Sequence, residues 1–264
     1  MKLISGTKYF IIFIFIAFTL PTQAITNIEK ERTSKAEEGW NGNVRFKFSG
    51  KDGNNEETDW GIGSHIRWNN TEFKWLNWYS RDYQRNNGYR SDDETFLHSR
   101  LIHNHQQSLA SEYFLQYQQA PFSGVKRRLL QGVGLRWNSW DKKNTGTKQS
   151  SGEGFQGIGL FNEQVREVDL GSTQTEQLYR ANFYSHWLYQ HSGERAISTS
   201  ATLYIQPDLA DSDDIKALLQ AQISIPINEQ LHLQWKWQSN WDSRPPSGVS
   251  KEVHETKMQL KYAF

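Results

Sequence analysis

The amino-acid sequence predicts an all-β protein, an antiparallel transmembrane β-barrel of about twelve strands. Apolar and polar side chains alternate with a period of two residues over most of the chain after Gly42, which is typical of strands with one apolar face. The mean hydropathy is low, at -0.78, whereas 14% of the residues are aromatic. Disordered chains are poor in aromatic residues, so polar and large apolar residues must be finely interleaved in a folded chain. Strands whose side chains face lipid and a polar interior in turn account for both the low mean hydropathy and the high aromatic content.

The first 24 residues have the order of a secretory signal peptide. Lys2 and Lys8 precede an apolar run over residues 9–20, and the sequence Thr-Gln-Ala follows at 22–24. The apolar run is shorter than the roughly 20 residues that a spanning helix needs. We therefore expect export through the secretion translocon and cleavage by signal peptidase after Ala24. The formal net charge then changes from +1 to -1, because two lysines and no acid are lost.

Residues 25–40 are polar with little periodicity, and we interpret them as a periplasmic N-terminal arm before a barrel over 41–264. Two predicted strands, near 71–84 and 154–165, alternate less cleanly than the others. In the clearest strands, the apolar faces are Val44, Phe46 and Phe48; Trp60, Ile62, Ile66 and Trp68; Leu109, Tyr113, Leu115 and Tyr117; Tyr179, Ala181, Phe183 and Trp187; the odd positions from Ile215 to Ile225; and Leu231, Leu233, Trp235 and Trp237.

The predicted connections alternate in length, which is the pattern of a barrel with tight turns on one side of a membrane and longer loops on the other. An exception is the polar stretch at 138–152, which falls on the predicted short side and is interpreted as a solvated insertion. Short links are predicted at 69–70, 105–108, 191–193 and 227–229, and longer links at 52–57, 85–93, 207–214 and 243–250.

Aromatic residues recur at spacings that suit two interfacial girdles of a barrel. Trp60 and Trp68 lie eight residues apart on one predicted face, as do Tyr179 and Trp187. At ~3.3 Å per residue and ~40° of tilt, eight residues rise roughly 20 Å, close to the ~25 Å apolar band of an outer membrane. The predicted girdle residues are Trp60, Trp68, Tyr179, Trp187, Trp235 and Trp237.

The last strand predicts an assembly signal. Met258, Leu260, Tyr262 and Phe264 share one face and alternate with charged or polar residues. Such an ending resembles the C-terminal signal that the barrel-assembly machinery reads in bacterial outer-membrane proteins. We expect these four residues to face lipid, with the first strand closing beside the last.

Two segments resemble the salt-induced outer-membrane proteins, a family catalogued mainly as a domain of unknown function. These segments are "GNVRFKFSGKDGNNEETD" and "FSGVKRRLLQGVGLRW", the second with Gly132 and Gly134 after an Arg-Leu-Leu sequence. The resemblance covers the first half of the predicted barrel. It implies an outer-membrane barrel of a Gram-negative bacterium with a periplasmic N-terminus. It implies no enzymatic activity, because none is established for the family.

Motifs for catalysis, metals and cofactors are weak in this sequence. The pairs Gly61/Gly63, Gly132/Gly134 and Gly157/Gly159 would need a following helix to bind phosphate, so we expect them to make room for bulky neighbours. His103 and His105 have no identifiable third metal ligand, and the "HETKM" sequence at His254 lacks the second histidine of a zinc-protease motif. The chain has 0 cysteines. We predict no cofactor and no enzyme.

Basic residues dominate the predicted polar face of the strands. The chain has no basic block of the kind that nucleic-acid binding requires. Two interpretations stay open: a lumen that is plugged by paired charges, or a narrow pore that prefers anions. The lumen-lining candidates are Arg45, Lys47, His65, Arg67, Arg128, Arg136, Arg180, His186, His232 and Lys236.

The sequence thus predicts an outer-membrane β-barrel in contact with lipid, either a narrow channel or an envelope component produced under osmotic stress. One alternative is a barrel hydrolase that acts on lipid. A second alternative is a secreted, soluble carbohydrate-binding β-sandwich, which would explain the aromatic residues but not the one-sided apolar faces.

Overall fold

A computed structural model describes residues 38–106, 108–142, 150–169, 172–191, 196–228, 231–245 and 248–262. The predicted signal peptide and most of the predicted arm lie outside these residues. Within the described ranges, the regular structure is one 3-10 turn at Pro121–Ser123 and twelve strands: β1 (Gly39–Lys51), β2 (Glu57–Asn69), β3 (Phe73–Asn86), β4 (Tyr89–Gln106), β5 (Leu109–Ala120), β6 (Val125–Lys142), β7 (Ser151–Asp169), β8 (Ser172–His191), β9 (Ile197–Pro207), β10 (Ile215–Pro226), β11 (Leu231–Asp242) and β12 (Glu252–Tyr262).

The twelve strands form one sheet in chain order, and each strand pairs antiparallel with the next. This arrangement confirms the predicted all-β fold and strand number. It also excludes the β-sandwich alternative, which needs two packed sheets. No pairing of β1 with β12 is found among the described residues, so closure of the first strand beside the last stays a prediction.

The sheet is curved, and we call its two sides the inner and the outer face. Glu163 on β7 and Lys216 on β10 are separated by two strands in the sheet, yet their charged atoms lie 3.6 Å apart. Side chains stand roughly perpendicular to a sheet, so such distant strands bring their side chains together only on a concave face. Tyr184, Tyr204 and Leu218, from β8, β9 and β10, also form a buried cluster on this inner face.

The outer face is apolar and exposed. Val133 is 56% exposed and Leu160 54%, and both belong to strands whose alternate residues, such as Arg128 and Glu163, are buried. Exposed leucine, isoleucine, phenylalanine and tryptophan side chains recur at outward positions from β1 to β12. Contiguous apolar surface of this extent is unusual for a monomeric protein in water.

The connections define two ends of the sheet. The loop end carries the β1–β2, β9–β10 and β11–β12 connections, and the turn end carries the β2–β3, β4–β5 and β10–β11 connections. The long loop predicted at 85–93 is wrong: Asn87 and Gly88 alone connect β3 to β4, with φ angles of 48° and 81°. Positive φ at both positions is the signature of a tight hairpin turn. The predicted insertion at 138–152 is also wrong at its beginning, because β6 extends to Lys142 and residues 138–142 therefore belong to a strand.

Several glycines make room for bulky neighbours, as predicted. A Cβ atom on Gly132 would lie 2.6 Å from the rings of Phe114 and from the Cβ of Phe161, and one on Gly157 would overlap the ring of Tyr184. Gly134 and Gly159 differ, because they lie opposite each other and a Cβ on either would approach backbone of the neighbouring strand.

Among the described residues, no helix is long and apolar enough to cross a membrane.

Candidate functional site

A charge network on the inner face contains the buried side chains of Arg128, Glu163 and Arg180, together with Asp214, Lys216 and Asp242. Glu163 lies at its centre and is fully buried. Its carboxylate accepts hydrogen bonds from the Nε atoms of Arg128 and Arg180 at 2.6 and 2.7 Å. A buried charge is expensive unless it is paired, so this carboxylate requires its guanidinium partners.

Arg180 connects the network to the β9–β10 loop. Its Nη2 atom donates to Asp214 Oδ2 at 2.7 Å, and its Nη1 atom donates to the carbonyl oxygens of Gln206 and Asp214, each at 3.3 Å. Lys216 Nζ lies 3.8 Å from Asp242 Oδ2 on β11. The network therefore spans from β6 to β11 across the concave face.

The β9–β10 loop is held against the strands on either side. Asp208 Oδ1 accepts hydrogen bonds from the backbone N–H groups of Ala210 and Asp211, which shapes the loop locally. The N–H of Leu209 donates to the carbonyl oxygen of Tyr179 at 2.7 Å. Arg244, in the β11–β12 connection, lies 2.6 Å from Asp211. The loop therefore contacts both the charge network and the neighbouring strands near the loop end.

A second polar group lies on the inner face of β3–β6. Arg100 Nη1 pairs with Glu112 Oε2 at 2.5 Å, and its guanidinium lies 4.7 Å from the centre of the Phe114 ring. His98 is buried, and its Nδ1 atom lies 3.0 Å from Gln116 Oε1. These contacts combine ion pairing, hydrogen bonding and ring stacking, so this part of the wall is ordered as well as polar.

The inner face of β9–β12 carries hydroxyl and amide groups between its charged residues. The register brings Ser200 of β9 opposite Gln222 of β10, and Gln222 opposite Lys236 of β11. Further along, Gln259 Nε2 donates to Gln234 Oε1 at 2.6 Å. Hydroxyl and amide groups both donate and accept hydrogen bonds, so this wall suits contact with water or hydrophilic solutes.

Acidic residues gather on the inner face of β2–β4 toward the loop end. The register pairs Asp59 with Gln84 and Gly61 with Asp82, and Asp82 with Glu94. Lys47 Nζ lies 3.1 Å from Asp59 Oδ2. The inner face therefore carries both signs of charge rather than a uniformly basic surface.

The strand register puts the ten predicted lumen-lining residues on the same face as Glu163. Arg128, Arg136, Arg180 and His186 are buried there, whereas Arg45 is exposed on β1. Arg136 lies 3.9 Å from the Phe155 ring, and His186 Nδ1 lies 2.8 Å from Thr202 Oγ1. The structure brings only Arg128 and Arg180 together around one partner. The other eight candidates do not share that partner, and the role of all ten in lining a lumen stays a prediction; the eight are Arg45, Lys47, His65, Arg67, Arg136, His186, His232 and Lys236.

Sequence reasoning missed Glu163, Asp214 and Lys216, the partners that organise the network. β7 alternates poorly in sequence because glycines occupy inner positions, so Glu163 was not recognised as inward-facing. Asp214 lies in a predicted loop. The signal available in the sequence was Glu163 itself, an acid that shares the alternate positions of Gly157, Gly159 and Phe161.

The predicted girdle residues lie on the outer face, where Trp60 and Trp187 contact other aromatic rings. Trp60 stacks on Tyr83 with ring centroids 5.6 Å apart, and Trp187 lies 6.1 Å from Trp140. Trp60 is toward the loop end, and Trp187 is toward the turn end. Their role as girdles stays a prediction, as it does for the other four candidates, Trp68, Tyr179, Trp235 and Trp237.

The predicted assembly signal is described only in part. Met258 is 68% exposed and Leu260 60% exposed on the outer face of β12, where the register pairs them with Trp235 and Leu233. Phe264 and the side chain of Tyr262 lie outside the described part of the chain.

Serine and histidine meet at two places, which bears on the hydrolase alternative. His105 Nε2 lies 2.8 Å from Ser111 Oγ, and His191 Nδ1 lies 3.1 Å from Ser150 Oγ. A catalytic triad also needs an acid or amide to orient the histidine. Within the described residues, no carboxylate hydrogen-bonds to either histidine, and no group of three or more histidines and acids is arranged to hold a metal ion.

A protein family described as "Protein of unknown function, DUF481" matches residues 44–264. The chain belongs to the DUF481 family. This description assigns no activity and makes no mention of salt induction, so that part of the family resemblance stays a prediction. No curated protein matches the sequence significantly.

Several solved structures are similar in overall shape. The NanC porin is 12% identical with a TM-score of 0.42, and the alignment covers 84% of this chain and 99% of the porin. A bacterial polysaccharide outer membrane secretin is 12% identical with a TM-score of 0.45, over 86% of each chain. The beta domain of the Bordetella autotransporter BrkA is 11% identical with a TM-score of 0.37, over 85% of this chain and 98% of that domain. These likenesses are too distant to indicate an activity.

Proposed function

We propose that the protein is an outer-membrane β-barrel whose lumen conducts small hydrophilic solutes and is constricted by the charge network near the loop end. The observation that carries the proposal is the contrast between the two faces of one curved sheet. Its outer face is apolar and exposed, whereas its inner face holds buried ion pairs and a wall of hydroxyl and amide groups.

The membrane location follows from the solvent that each face suits. In lipid, backbone polar groups must be paired within the protein, and a twelve-stranded antiparallel sheet pairs them between neighbouring strands. Exposed side chains such as Val133 and Leu160 are favourable in hydrocarbon and costly in water. Paired acids and bases are tolerated only inside, away from lipid.

The narrow lumen follows from the charge network. Glu163, Arg128 and Arg180 are fully buried, so side chains occupy part of the interior at their level. Barrels of about twelve strands lie between filled small barrels and open porins in width. The remaining path runs along the polar wall of β9–β12.

Fractionation tests the membrane location. We expect the protein in the outer-membrane fraction, with a gel mobility that changes on heating as the folded barrel opens. A protein found in the soluble periplasm, with one mobility at all temperatures, would contradict the proposal.

Planar-bilayer recording tests the channel. The refolded protein should give small conductance steps, and Asp214→Asn should enlarge them because it weakens the ion pair that ties the β9–β10 loop to Arg180. Asp213→Asn is the matched control, since Asp213 is an exposed neighbour in the same loop. If the folded protein gave no conductance steps, the proposed channel would be wrong. If Asp214→Asn and Asp213→Asn had equal effects, the proposed constriction would be wrong.

A further inference from the structure

The outer face carries a groove across β4–β8 with a volume of about 630 Å³. Leu101, Tyr113, Val133, Leu160 and Phe183 line it, and all are apolar or aromatic. Ala181 lines the groove on β8, where the register pairs this small residue with Leu160, between the larger outward residues Tyr179 and Phe183. Its volume lies within the ~300–1,000 Å³ range of ligand sites.

One end of the groove is polar. His103 and Ser111 line that end, and His105 Nε2 lies 2.8 Å from Ser111 Oγ. The rings of His103 and His105 lie 4.3 Å apart, and Phe73 stacks on His103 at 4.4 Å. These groups lie next to the β4–β5 turn, at the turn end of the sheet.

Tryptophans mark the same level of the outer wall. The register pairs Trp75 with Leu101 and Trp137 with Leu109. Tryptophan is enriched at the boundary between lipid and water, with its ring at the level of the headgroups. The histidine and serine groups thus lie where a lipid headgroup would lie, and the apolar groove extends from them toward the middle of the wall.

We propose that this groove binds one glycerophospholipid, with an acyl chain along the apolar groove and the phosphate at His103, His105 and Ser111. Charge complementarity supports this occupant. Glu112 also lines the groove, but its carboxylate pairs with Arg100 on the inner face, so the groove itself suits an uncharged acyl chain. Imidazole and hydroxyl groups at its polar end can donate hydrogen bonds to phosphate oxygens. The proposal rests on the membrane location proposed above.

The test measures lipid retained on the folded barrel. The protein is refolded from denaturant without lipid, mixed in detergent with phosphatidylethanolamine or with a diacylglycerol of the same chains, and examined by native mass spectrometry. We expect one retained phosphatidylethanolamine and little diacylglycerol. Ala181→Leu should fill the groove and lower retention about tenfold. Ala221→Leu is the matched control, since Ala221 lies on the outer face of β10, away from the groove.

The head end is tested by His103→Ala and Ser111→Ala, which should lower retention of phosphatidylethanolamine while leaving the heat-dependent gel mobility unchanged. Equal retention of both lipids, or no effect of Ala181→Leu, would overturn the proposal. If the protein released a lysophospholipid and Ser111→Ala abolished that release, the groove would be a hydrolytic site, and the proposal of a binding site would be wrong. If the wild-type protein reaches the outer membrane and conducts but retains no lipid, this inference alone fails.

Discussion

At the scale of single residues, Glu163 is the acid at the centre of the charge network. It is fully buried and faces Arg128, Arg180 and Lys216, so its one negative charge offsets part of three positive charges. Asp214 and Asp242 supply the remaining negative charge at the edges of the network. The arrangement is balanced only while every member is present.

We predict that Glu163→Gln destabilises the folded barrel by about 3–5 kcal/mol, because removing one partner leaves buried guanidinium groups without compensation. Reversible unfolding of the refolded protein in urea measures this change. Asp59→Asn is the matched acid-to-amide control and should cost less than about 1 kcal/mol, since Lys47, its partner, is 57% exposed. Equal losses for the two variants would show that Glu163 has no special place in the interior.

At the scale of elements, β7 and β8 have the most extensive pairing in the sheet, from Ser151↔Gln190 to Asp169↔Ser172. Glycines on the inner face of β7 permit this pairing beside bulky partners. Gly157 lies opposite Tyr184, whose ring occupies the space where a side chain at 157 would be. The ring is itself packed with Tyr204 and Leu218, so it has little freedom to move.

We predict that Gly157→Ala lowers the free energy of unfolding by about 1–3 kcal/mol through overpacking against Tyr184. In a protein that already carries Tyr184→Ala, the Gly157→Ala substitution should be nearly neutral, since the obstructing ring is then absent. Urea unfolding of the four proteins in the cycle measures the coupling. Gly50→Ala is the control. It should change stability little, because the nearest atom to an added Cβ would be on the Phe48 ring, at 3.9 Å. Additive effects of the two substitutions would contradict this account.

At the scale of the whole molecule, we propose that the outer face contacts lipid and that the last strand is recognised during assembly. β12 presents Met258 and Leu260 outward, and the alternation continues in the sequence to Phe264. The opposite parity carries Lys257 and Gln259, which belong to the inner face.

We predict that deleting Phe264 lowers the yield of assembled protein in the outer membrane more than Lys261→Gln does, because only the first change shortens the outward apolar row. The measurement is the fraction of heat-modifiable protein in outer-membrane preparations. Similar yields for the two variants would leave the proposed assembly signal without support.

The fold could be predicted from the sequence because its main signal is local. Alternation with a period of two, as in Val44, Phe46 and Phe48, assigns a strand and its apolar face without any partner. The prediction failed at 85–93, where polar residues that belong to long strands were assigned to a loop. Strand ends that extend beyond the apolar band are polar on both faces, so alternation does not reveal them.

The sequence by itself therefore determined the strand count, the antiparallel order and the parity of the basic residues, since each depends on neighbours along the chain. Only the tertiary structure decided which charges meet. Glu163, Arg180 and Asp214 are far apart in sequence, and the curvature of the sheet brings β7, β8 and the β9–β10 loop to one point. The groove at Ala181 was likewise decided by strand register, because a small residue makes a depression only when larger side chains surround it on neighbouring strands.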